Sequence, residues 1–130
     1  MVSYNFVFCI LSMLLFGAAL CISDSDETRA VSHNINDCTN AAANKTLIYS
    51  TVINERARFL GYTTKTVSFP SSSVNQDLIT CIVVTDNDGD GTGGYPSISS
   101  GGLNSYSVEI ELTSQWSRGL HFTVRIYTDA

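Results

Sequence analysis

Beyond residue 45 the apolar positions of this chain recur with a period of two, as in strands that have one dry face and one wet face. The clearest case is Tyr106–Thr113, where Tyr106, Val108, Ile110 and Leu112 fall on one face and Ser107, Glu109, Glu111 and Thr113 on the other. Leu120–Tyr127 repeats the pattern, with Leu120, Phe122, Val124 and Ile126 inward and His121, Thr123, Arg125 and Tyr127 outward. The short connection Ser114–Gly119 predicts that the two strands form an antiparallel hairpin. Arg125 would then face Glu109 or Glu111 in an exposed pair contributing at most about 1 kcal/mol.

Earlier runs are shorter. Thr46–Ile53 and Tyr62–Phe69 are rich in β-branched and aromatic residues, the second stopping at Pro70, and Ser71–Gln76 reads as a loop. Leu78–Thr85 is apolar at both parities, which predicts a central strand covered on both faces. Gly91–Gly94 and Gly101-Gly102 are expected to be turns around Tyr95–Ser100. No helical period of useful length and no internal repeat is present. The expected fold is all-β: a single small antiparallel β-sandwich or barrel-like domain over 46–130. Residues 24–45 are rich in Ser, Asn, Asp and Ala, with no apolar period able to bury a face. They read as a polar, flexible arm pinned only at Cys38.

The chain opens differently. Phe6–Leu20 is a nearly unbroken apolar run, interrupted by Ser12 and Gly17 and followed by small residues, then by Asp24-Ser25-Asp26-Glu27. Its length and composition are those of the h-region of a secretory signal peptide over residues 1–23, with cleavage at 19–23, after Cys21 or Ser23 for preference. No Lys or Arg precedes Arg29, so only the terminal amine is positive. The rival reading is an uncleaved membrane anchor, since uncharged sequence from Met1 to Ser23 could just span a bilayer. No basic residue flanks the run to orient it, and the expectation is a protein without a stable membrane anchor once the signal is removed.

Removal of the signal leaves roughly 107 residues, enough for one core that buries about two thirds of the unfolded surface. All 12 acidic and all 7 basic side chains lie beyond it, so the net charge stays at -5. Gripping phosphate backbones requires clustered Lys and Arg, and the balance here predicts no direct binding of nucleic acid. Of the 4 cysteines, Cys9 and Cys21 fall in or beside the signal. Cys38 and Cys81 remain, and in an oxidising compartment two thiols predict one disulfide. Closing a loop of about 43 residues would stabilise the fold by roughly 4 kcal/mol. The alternative is Cys81 as a plain buried thiol. Asn44-Lys45-Thr46 is a glycosylation sequon, relevant only in the secretory pathway.

Asp86-Asn87-Asp88-Gly89-Asp90-Gly91 sets acidic side chains at alternate positions before a glycine, as calcium loops do. Asp86, Asp88 and Asp90 are therefore the metal candidates. The twelfth position of such a loop should be Glu, and Ser97 stands there; the competing reading is a solvated turn built by Asp, Asn and Gly. For catalysis there is no nucleophile elbow, no zinc spacing and no phosphate-cradling glycine loop. His33 lies in the polar arm and His121 faces outward on a strand. The expectation is a non-enzymatic protein without a cofactor.

One further pattern is specific. Thr85-Asp86, Gly91-Thr92-Gly93-Gly94, Ser100-Gly101-Gly102, Val108, Leu112-Thr113-Ser114, Arg118-Gly119-Leu120-His121-Phe122-Thr123-Val124 and Tyr127 stand in this order. Together they resemble the insect multiprotein bridging factor two family over Leu78–Tyr127, with looser agreement over Thr46–Pro70. The resemblance implies a transcription activator that does not bind DNA itself and bridges a nuclear receptor to the general transcription machinery. Many relatives look like secreted or salivary peptides. The signal sequence, the paired cysteines and the lack of a basic localisation cluster set this chain apart from a nuclear role, and Asp88 and Asp90 make its loop more acidic than the resemblance leads one to expect. Trp116, at the expected hairpin tip where the family tends to be polar, is either an exposed anchor for a protein partner or a side chain folded over the sheet edge.

These readings converge on a secreted, non-enzymatic protein of insect saliva or haemolymph that binds an unknown protein partner, with the intracellular coactivator as the alternative. The signal reading predicts a mature protein beginning between Leu20 and Asp24. Intact mass of protein recovered from insect-cell medium checks this, and retention of Met1–Ala19 would contradict it.

Overall fold

The computed structural model describes residues 32–40 and 43–130; the apolar run and its cleavage sites lie outside them. Seven strands are present and no helix among these residues: β1 (Ile35–Cys38), β2 (Lys45–Glu55), β3 (Thr64–Phe69), β4 (Cys81–Asp86), β5 (Tyr95–Gly101), β6 (Val108–Thr113) and β7 (Leu120–Asp129). They form two antiparallel sheets, ordered β1-β4-β7-β2 and β3-β6-β5. The all-β expectation is borne out, as a sandwich.

Alternation decides which side chains enter the core. From β7, Leu120, Phe122, Val124 and Ile126 are buried, and from β6, Val108, Ile110 and Leu112. Ile82 and Val84 of β4, Val67 of β3 and Ile79 complete the cluster, with Ile35, Ile48, Tyr49, Ile53, Phe69, Ile98 and Leu103 packed around it. Each buried aliphatic side chain contributes about 1.5–3 kcal/mol relative to exposure. Tyr106, expected to face inward, is 55% exposed and precedes the strand.

The predicted hairpin does not form. β6 lies between β3 and β5 in one sheet, and β7 between β4 and β2 in the other. The Ser114–Gly119 connection carries the chain from sheet to sheet, so that two apolar faces meet instead of lying side by side. Arg125 consequently stands opposite Ser50 and Val83, in the other sheet from Glu109 and Glu111. The hydrogen-bonded pair of consecutive strands is β5–β6. β5 occupies the segment between the two glycine clusters, to which no element was assigned from sequence, and takes in Gly101 of the second.

The strand foreseen over Leu78–Thr85 begins at Cys81; Ile79 and Thr80 are buried just before it and Leu78 is exposed. β4 is interior to its sheet, as is β7. Ile82 and Val84 are buried on one face, while on the other Cys81 is buried, Val83 half-buried and Thr85 exposed, so the cover on the second face fades along the strand.

The polar arm also differs from expectation. Ile35–Cys38 pairs with β4 over Ile35↔Val84 to Cys38↔Cys81, and Lys45 already belongs to β2. Asn34 accepts the Asp86 backbone N–H through Oδ1 at 2.8 Å. His33 donates from Nδ1 to the Gly94 carbonyl at 2.9 Å and stacks on Tyr95, ring centroids 5.0 Å apart. The segment is held by backbone pairing, which needs no apolar period, and so polarity alone concealed it.

Cys38 and Cys81 face each other across β1 and β4 and are joined as a disulfide. At the same end Lys45 donates to the Thr39 carbonyl at 2.6 Å and pairs with Asp129. That ammonium holds the Asp129 carboxyl below the usual carboxylate range. A lowered folded-state value contributes stability above the unfolded pKa that is lost as pH falls through the folded one. Replacing Cys38 by Ser is expected to destabilise the domain by roughly 2–4 kcal/mol, with the double replacement Cys38→Ser, Cys81→Ser costing about the same. Denaturant melts without reductant measure both, and a nearly neutral Cys38→Ser would show that the bridge is not formed.

Candidate functional site

Four of the ten exposed large apolar side chains of the described residues lie at one end of the sandwich, on two connections between sheets. The first, residues 56–63, joins β2 to β3; the second, Ser114–Gly119, joins β6 to β7. They are knitted together. Ser114, 1% exposed, donates its backbone N–H to the Thr63 carbonyl at 2.8 Å and accepts the Thr63 N–H on Oγ at 2.7 Å. Leu60 N–H donates to Ser117 Oγ at 2.9 Å, and Ser117 N–H to the Gly61 carbonyl at 2.8 Å. Gly119 is required where the second connection crosses the first, because a Cβ there would overlap the Glu55 carbonyl.

This scaffold fixes the backbone and leaves the side chains in water. Phe59 is 87% exposed, Leu60 63%, Tyr62 55% and Trp116 54%. Trp116 meets Tyr62 edge-on, ring centroids 5.1 Å apart. Leu60 (φ 51°) and Ser117 (φ 56°) hold left-handed backbone, uncommon without glycine and of a kind that collects at binding sites. Arg56, Arg58 and Arg118 are exposed beside them. Sequence reading singled out Trp116 but missed its neighbours. Phe59 and Leu60 sit in no periodic pattern, and only the arch brings them to Trp116.

A third loop closes on the same end. Gln115 donates from Nε2 to the Gly91 and Gly93 carbonyls at 2.8 and 2.9 Å. Within this loop the acidic side chains serve the turn. Asp86 Oδ1 accepts the Asp88 N–H at 3.0 Å, and Asp90 Oδ1 accepts the Thr92 N–H at 3.0 Å. Thr92's hydroxyl also donates to Asp90, and these bonds, with a smaller contribution from Arg118, hold the Asp90 carboxyl below its ordinary value. Asp88 faces His121 Nδ1 at 3.4 Å. Gly93 packs against the Asp86 carboxylate so closely that a Cβ would overlap it. Asp86, Asp88 and Asp90 therefore point to separate partners, and among the described residues no group of three His, Cys, Asp or Glu side chains is placed to hold a metal.

The cysteine pair and the sequon lie elsewhere. Cys38 and Cys81 are bridged at the opposite end, where Asn44 is exposed immediately before β2 and accepts the Ala130 N–H at 2.9 Å. His33 and His121 both contact the 86–94 loop, His33 at the Gly94 carbonyl and His121 at Asp88.

Millimolar calcium is expected to leave the melting temperature unchanged, because these carboxylates already serve loop donors. A rise of several degrees, lost in Asp88→Asn, would instead make the loop a cation site.

A family model with the description Transcription activator MBF2 matches residues 40–128. No curated protein and no solved structure matches this chain.

Proposed function

Since the chain belongs to the MBF2 transcription activator family, we propose that this member is a non-enzymatic binding protein, and that it works outside the cell that makes it. The observation that carries the second part is the disulfide across β1 and β4. Two cysteines brought into register on neighbouring strands stabilise a domain only where thiols are oxidised, in the secretory route and beyond it. The uncharged apolar opening of the chain supports the same route, since an h-region is captured for export before a nucleus is reached. The Asn44 sequon, exposed beside β2, is placed where a glycan would not disturb the core. On this reading the protein acts by contact between its β-surface and a protein partner in an extracellular fluid such as saliva or haemolymph.

The family description favours a second reading, a coactivator that bridges a nuclear receptor to the transcription machinery without touching DNA. A net charge of -5 suits that absence of DNA contact and does not hinder protein contact.

Localisation separates the two. The full-length chain, tagged after Ala130 and expressed in insect cells, is expected in the medium, and a version lacking Met1–Ser23 is expected to stay in the cells. Full-length protein found mainly in the nucleus and activating a receptor-driven reporter would establish the coactivator reading in its place.

A further inference from the structure

We propose that the arched end of the sandwich is a peripheral membrane-contact element that docks on an anionic phospholipid surface, a function beyond the protein binding proposed above. Single exposed apolar residues on a folded surface need no explanation. Four of them on two mutually bonded connections do, because the same backbone bonds could hold polar side chains at no cost to the fold. Phe59, Leu60, Tyr62 and Trp116 all lie outside the core cluster.

The shape of the patch favours a bilayer over a protein groove. Phe59, with 87% of its surface in water, stands on an apex and not in a recess. An apex of this kind needs either a partner with a matching pocket or a medium that yields, and the interface of a bilayer yields. Its neighbours suit the depth at which they would sit. Tyr and Trp favour the headgroup layer, where the ring is half apolar and half wet, and arginine stems lie along apolar surface with the guanidinium in the phosphate plane.

Charge supplies the choice of lipid. Lys45 is paired with Asp129 and Lys65 with Glu55. Arg56, Arg58 and Arg118, beside the aromatics, make no ion pair within 4.0 Å among the described residues and are exposed. Asp86, Asp88 and Asp90 on the adjoining loop, the last within reach of Arg118's charge, and a net charge of -5 oppose an anionic surface, so attraction by the arginines alone is insufficient and the apolar side chains must enter the interface as well. The sequon at Asn44 does not obstruct this contact. It lies at the far end of β2, whose 11 residues span about 36 Å.

Trp116 is the single tryptophan of the chain, so its emission reports this end and no other. Protein recovered from expressing cells is titrated at physiological salt with vesicles of phosphatidylcholine, with and without phosphatidylserine. The expected result is a blue shift with the mixed vesicles and at least roughly tenfold weaker partitioning to pure phosphatidylcholine. Phe59→Ser is expected to weaken partitioning about tenfold, and Arg58→Glu by more than about tenfold. Arg125→Glu, on the sheet away from this end, should change it by less than about twofold. Thermal melts confirm that each variant is folded, and Arg58→Gln serves where Arg58→Glu is not. Vesicles of both compositions leaving the emission unchanged would overturn the inference and assign the aromatics to a protein partner. A shift that persists in folded Phe59→Ser and Arg58→Glu would also overturn it, since another segment would then be binding. Either failure leaves the localisation test of the secreted reading untouched.

Discussion

Face-to-face burial of Val108, Ile110 and Leu112 of β6 with Leu120, Phe122, Val124 and Ile126 of β7 holds the two sheets together, and the rest of the domain is arranged around it. Two alternating strands joined by a short connection can satisfy their apolar faces in two ways. As a hairpin they lie side by side and present one continuous apolar face to some third element. As an arch they turn those faces on each other. In this chain the second solution is taken, and β4 and β2 then flank β7 while β3 and β5 flank β6.

The arch has a consequence for the surface. A connection that crosses from sheet to sheet must run over the end of the sandwich, and here it meets the β2–β3 connection, which makes the same crossing. Their mutual hydrogen bonds and the close passage at Gly119 make that end a fixed platform. Aromatic and basic side chains from distant parts of the sequence are displayed on it together. The disulfide, the Lys45–Asp129 pair and the Asn44 sequon occupy the other end. The disulfide and the ion pair thus reinforce one end, while the aromatic and arginine cluster sits at the other; exposed apolar side chains, Val74, Leu78 and Tyr106 among them, are present at the reinforced end as well. The glycine-rich stretch Gly91-Thr92-Gly93-Gly94 has a structural role in this, since Gly93 accommodates the Asp86 carboxylate and the loop is tied to Gln115.

Alternation in the sequence determined which residues of β6 and β7 are buried, because a period of two leaves no choice of face once one face is apolar. The period-two runs and the lack of a helical period likewise determined the all-β class, and Cys38 and Cys81 were expected as a pair once Cys9 and Cys21 were read with the apolar opening. Sheet membership was not determined, since hairpin and arch place the same residues in the core. That decision rests on which strands lie across from one another, a long-range property settled by the packing of β4 and β2 against β7. β1 was invisible for a related reason. Its attachment is a ladder of backbone hydrogen bonds, and these are blind to side-chain pattern. The cluster of Phe59, Leu60, Tyr62 and Trp116 was decided by tertiary structure alone, because residues more than fifty positions apart become neighbours only when two sheet-crossing connections share one end of the sandwich.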